Sequence, residues 1–120
     1  MKANYREMIG LVPPKVAKRL EFSAAVDPDG LQQLEAIRKD YLDSRHIDQK
    51  NVQLIAFAIL LTQTSAAAEF HAKAALRAGA TKEQLMDAAK VAFLFRGLAA
   101  ANQAGEVLSR VFTPTEDIET

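Results

Sequence analysis

The sequence predicts an all-α domain of about six helices, and three observations carry that prediction. Helix-start signals recur: Val12-Pro13-Pro14, Asp27-Pro28, Asp48 and Thr81-Lys82-Glu83-Gln84 each set a proline or a capping oxygen ahead of residues at helical spacing. Two alanine-rich segments, Ala66 to Ala78 and the stretch around Gly97 to Gln103, are built from the strongest helix former. The single strand contender, Leu54 to Leu61, has no second strand to pair with.

Met1 to Leu11 shows no sustained period and is expected to be an arm that orders only against something else. A short first helix then starts at Val12-Pro13-Pro14 and runs to about Val26, with Val16, Leu20 and Ala24 at helical spacing. Asp27 caps a second helix, closed by a Val26–Leu31 staple. Its stripe Leu31, Leu34, Ile37, Tyr41 and Leu42 faces inward, and it ends near Arg45. Asp48 caps a third, which is apolar all round from Leu54 to Leu61 and therefore expected to be covered all round.

Thr64 or Ser65 bends the chain into Ala66 to Ala78, which Gly79 ends in the left-handed conformation. Thr81 and Gln84 form a capping box for the next helix, with Leu85, Ala88, Ala89, Ala92 and Phe93 inward, followed by Phe95. Gly97 permits a break or a close crossing. Leu98 to Phe112 is the last helix, and 113–120 is expected to be a mobile acidic tail. No repeat or linker divides the chain, so 1–120 is read as one domain.

The 120 residues carry fifteen basic and fifteen acidic side chains, and this balance gives no global field for nucleic acid or an anionic membrane. With no cysteine, disulfides, thiolate metal sites and thiol nucleophiles are excluded. The longest apolar run is far short of the roughly 20 residues of a membrane span. Met1 to Leu11 lacks the apolar core of a signal peptide, so the expected location is the cytoplasm.

Among candidate site residues, His71 comes first: it shares a helix face with Ala67, Ala74, Ala75 and Ala78, whose small side chains leave room beside the ring. An imidazole facing such a hollow serves as a general acid or base; a core histidine with one partner, or a half-exposed one, is the bland alternative. Glu69 points the other way, and His46 fits a helix C-terminus. Two histidines without a carboxylate at ligand spacing make a poor metal site, and no metal or cofactor is expected. Arg96 beside Gly97 could clamp a carboxylate, or snorkel to solvent. Asn102, Gln103, Gln63 and Thr64 could each bond a ligand or satisfy a neighbour.

The stretch from Glu69-Phe70-His71-Ala72-Lys73 through Gly79-Ala80-Thr81 to Leu85, followed by Phe95-Arg96-Gly97-Leu98 through Asn102-Gln103-Ala104, resembles the carboxymuconolactone decarboxylase family over about half the chain. That family shares its helical fold with the alkylhydroperoxidase D-like proteins. The resemblance implies a subunit that assembles into homotrimers or homohexamers, with a site near the interface. Peroxidase relatives carry a Cys-x-x-Cys pair where Thr64 and Ala67 stand here, so thiol-dependent peroxide reduction is excluded. Arg96-Gly97-Leu98-Ala99 departs from the small residues frequent in relatives.

What the resemblance implies is a lyase for a small anionic carboxylate or lactone, with His71 delivering a proton and Arg96 holding the carboxylate or the developing anion. Asn102, Thr64 and Gln63 are carried with it as substrate-binding candidates. A non-catalytic oligomeric scaffold that binds a ligand or partner is the rival reading, and a cysteine-free peroxidase-like protein the third.

Overall fold

The computed structural model describes residues 1–113, and all regular structure among them is helical. The helices are α1 (Lys2–Ile9), α2 (Pro14–Val26), α3 (Pro28–Leu42), α4 (Gln49–Thr62), α5 (Ala68–Arg77), α6 (Lys82–Arg96) and α7 (Leu98–Phe112). Apart from Thr113, the expected tail lies outside the described residues.

The starts are set by local chemistry. Asp27 accepts the Gly30 amide at 3.1 Å, and Asp48 accepts the Asn51 amide at 2.9 Å. At Thr81 the box closes in both directions: its hydroxyl takes the Gln84 amide, and the Gln84 side chain takes the Thr81 amide, each at 3.0 Å. Gly79 ends the α5 segment at φ +103°, where a side chain would be strained. Between α4 and α5 the chain turns at Thr64, itself left-handed at φ +50°, and Ser65 caps the turn by accepting the Ala67 amide at 3.1 Å.

α4 is the central helix, packed against α5, α6 and α7. Its residues Phe57 and Leu61 are fully buried, against Ala68, Ala72 and Ala75 of α5, Leu85, Ala89 and Ala92 of α6, and Ala100, Ala104 and Val107 of α7. Alanine at so many contact positions lets the backbones approach closely, so a few large side chains fill what remains.

A second, smaller core joins Tyr5 and Ile9 of α1, Leu20 of α2, Leu31 of α3 and Ala74 of α5. The expected arm is therefore a helix, anchored by Tyr5 and Ile9 one turn apart and ended by Gly10 at φ +100°. α1 packs on α5, and α2 on α3.

Three expectations are corrected by exposure. Ile55 and Ile59 leave one side of α4 uncovered. On α6, Phe93 and Phe95 point outward while Leu85, Ala89 and Ala92 are buried. Most of the apolar stripe of α3 faces out: Leu34, Ile37 and Tyr41 are exposed, while Leu31 is buried as expected and shares the inner face with Glu35. The cause is a charge cluster that takes the inner face of α3.

Candidate functional site

That cluster gathers three helices. Glu35 accepts from Arg19 at 2.8 Å and from the Tyr5 hydroxyl at 3.0 Å, while the same hydroxyl accepts from Arg19 at 2.7 Å. Arg38 stacks over the Tyr5 ring at 3.8 Å, donates to Asn4 at 2.7 Å and stands 3.9 Å from Glu35. Burial pushes the Tyr5 phenol above its ordinary value, against the pull of Arg38, so it stays a neutral donor. Two guanidiniums against one carboxylate leave the cluster with a surplus positive charge.

His71 sits on α5 within reach of that charge. Its Nδ1 is 2.7 Å from Oε1 of Gln53, a fully buried side chain of α4. The direction of this bond follows from a backbone group. The Leu42 carbonyl can only accept, so Gln49 turns its amide nitrogen to it, at 2.6 Å. The Gln49 oxygen is thereby presented to Gln53, whose nitrogen donates to it at 3.1 Å and to Met8 Sδ at 2.9 Å. Gln53 then offers its oxygen to the ring, so His71 carries its proton on Nδ1 and a lone pair on Nε2.

Burial, reinforced by Arg38, lowers the His71 pKa to about 4 from 6.5. The resting imidazole is neutral and accepts a proton before it can deliver one. Its second nitrogen makes no hydrogen bond among the described residues.

One cavity of about 490 Å³ lies beside the ring, lined by Asn4, Glu7, Met8, Lys39, Leu42, Asp43, Gln49, Ala74 and Ala78. Another, of about 480 Å³, is apolar and runs between α6 and α7, away from His71. The imidazole lines neither.

The remaining candidates are not brought to His71. Arg96 donates to the Thr62 carbonyl at 3.0 Å, capping the far end of α4. Thr62 is nine residues beyond Gln53, roughly 13 Å along the helix axis. Gln63 and Thr64 are exposed at that same end, and the Thr64 hydroxyl returns to the Gln63 carbonyl at 2.7 Å. Asn102 is exposed on α7, while Gln103 donates to the Ser65 carbonyl at 3.1 Å. Glu69 ties α5 to α7 through Arg110 at 3.1 Å.

Gln53, Gln49, Tyr5, Glu35 and Arg38 are the site residues that the sequence reading missed. One signal was there: Gln53 lies four and eight residues before Phe57 and Leu61, on the most deeply buried face of α4. A polar side chain on such a face needs a partner. Among the described residues no cluster of histidine and carboxylates could hold a metal, and no helix is long and apolar enough to cross a membrane.

The model of the carboxymuconolactone decarboxylase family matches residues 28–110, from the start of α3 almost to the end of α7. No curated protein and no solved structure matches the chain. The family match spans most of the sequence and includes His71, Gln53 and the four-helix core; the chain belongs to the carboxymuconolactone decarboxylase family.

Proposed function

We propose that this chain is a thiol-independent lyase that removes a carboxyl group from a small anionic carboxylate or lactone, with His71 as its proton-transfer group. The observation that carries this reading is the relay from the Leu42 carbonyl through Gln49 and Gln53 to His71, which fixes the ring as a base with one free nitrogen. A histidine kept only for packing has no need of a fixed tautomer. Arg38, rather than Arg96, is the cation near the ring.

In the reaction the bond to the carboxylate breaks and carbon dioxide departs. The electron pair moves into a conjugated carbonyl, and the resulting oxyanion is quenched when a proton reaches carbon. A neutral His71 first takes up that proton. An anion bound beside it favours this, because negative charge stabilises imidazolium. Arg38 supplies the positive field for the oxyanion.

Self-assembly belongs to the same proposal. Phe22, Leu34, Ile37, Tyr41, Ile55 and Phe95 are exposed apolar side chains on four helices. The radius of gyration, 15.1 Å, exceeds the about 14 Å of a compact domain of this length. A homotrimer or homohexamer covers such faces; light scattering that shows only a 13.1 kDa species at micromolar concentration removes this part of the proposal.

The rival reading, a ligand-binding scaffold, is favoured by the packing of the ring outside both cavities. Carbon dioxide release from a panel of small carboxylates and lactones separates the two. The lyase reading expects release that His71→Ala abolishes. Melting-temperature shifts without release, retained in the variant, leave the scaffold.

A further inference from the structure

The cavity of about 490 Å³ and the His71–Gln53 pair are separated by a wall one side chain thick. Three residues that line the cavity also form that wall. Met8 Sδ and Gln49 Oε1 both receive the Gln53 amide, and Ala74 stands three residues after His71 on α5. They differ in how easily they yield. Gln49 is held at both ends, by Leu42 and by Gln53. Ala74 is buried and has nothing to swing aside. Met8 packs against the smaller core but is partly exposed and unbranched, and its one hydrogen bond is made through sulfur, a weak acceptor.

We propose that this cavity is the ligand chamber of the His71–Gln53 pair, with Met8 as its gate, and that it takes a singly charged carboxylate. A carboxylate oxygen accepts the Gln53 amide far better than a thioether does, so the ligand displaces Met8 and is held against the amide that positions the ring. Its apolar body lies on Leu42, Ala74 and Ala78. The lining sets Glu7 and Asp43 against Lys39, a negative surplus that opposes any anion, and only the first carboxylate gains the Gln53 amide to offset it. A second carboxylate on the ligand meets that acidic surplus and is disfavoured.

The chamber deepens the lyase reading and rests on it for its purpose, yet its gate is measured without any ligand. Side-chain amide protons of Gln53 exchange with solvent when Met8 withdraws. In Met8→Ala they are expected to exchange at least about tenfold faster, while the α4 backbone amides in the same spectra keep their protection. Unchanged Gln53 exchange, or loss of protection throughout α4, overturns the gate.

Ligand class is read by thermal shift with two probes, butyrolactone monocarboxylate and butyrolactone dicarboxylate. The monocarboxylate raises the melting temperature of the natural chain, raises it further in Met8→Ala, and fails to do so in Gln53→Leu. An equal or larger shift with the dicarboxylate overturns the charge selection. No shift with either, beside a gate that opens as expected, defeats the ligand assignment while leaving the gate in place; the lyase reading falls only with the absence of carbon dioxide release from the panel.

Discussion

The two halves of this molecule bury different things. Around α4 the interior is dry: Phe57, Leu61, Leu85 and Val107 among alanines, with no charged side chain. Across α5, toward α1, α2 and α3, the interior holds Glu35, Tyr5, Gln53 and most of His71, ordered by hydrogen bonds. The dry half gains from area removed from water and tolerates no void. The wet half gains little net stability, because desolvation offsets much of each ion pair, but it fixes which atoms face which. The proposed proton-transfer group, His71, lies in the half that accepts that poorer exchange.

The largest break should come on the dry side. Phe57→Ala leaves a hole that rigid helices close only in part, and its expected cost is about 3–5 kcal/mol in denaturant unfolding. Next stands Glu35→Ala on the wet side. It takes the carboxylate from Arg19 and the acceptor from the Tyr5 hydroxyl, while Arg38 keeps Asn4 and the Tyr5 ring, for an expected loss of about 1–3 kcal/mol. Glu35→Ala costing no more than an ordinary surface change would mean that the wet half is solvated and the contrast between the halves is false.

The same contrast explains what was legible beforehand. Asp27, Asp48, Thr81 and Gly79 act through neighbours in the chain, so the helices they bound could be read directly. α1 could not, because its eight residues hold together only by setting Tyr5 and Ile9 against other helices. Leu34, Ile37 and Tyr41 gave α3 a persuasive inner stripe, yet Glu35 took that place through partners 16 and 30 positions away. His71 was legible as a candidate by its small neighbours. Gln53, 18 positions earlier on another helix, was concealed by the apolar run that follows it.

A third test works through pH. Because the His71 pKa is lowered in the folded chain, from 6.5 to about 4, the unfolded chain takes up a proton in that interval that the folded chain refuses. The His71 contribution to stability is therefore full above pH 6.5, falls as pH drops toward 4, and is gone below. At about 1.4 kcal/mol per unit the loss is roughly 3 kcal/mol. His71→Gln, which keeps a donor for Gln53, should lose the part of the pH dependence that falls between 6.5 and 4. An unaltered profile would place the ring in water and remove its role as a desolvated base.

The smallest effect is expected at Arg96, and it is informative because the sequence made this residue the carboxylate clamp. The structure gives it a different occupation: an exposed guanidinium bonded to the Thr62 carbonyl, one of the last carbonyls of α4 and otherwise without an amide from the next turn. Solvent can replace that bond, so Arg96→Ala should change stability by less than about 0.5 kcal/mol. It should also leave any carboxylate-induced melting shift intact, whereas Arg38→Ala should abolish it. Should Arg96→Ala instead erase the shift with the fold unharmed, the site lies at the far end of α4, where Gln63 and Thr64 are exposed beside Arg96, and the wet half is structural.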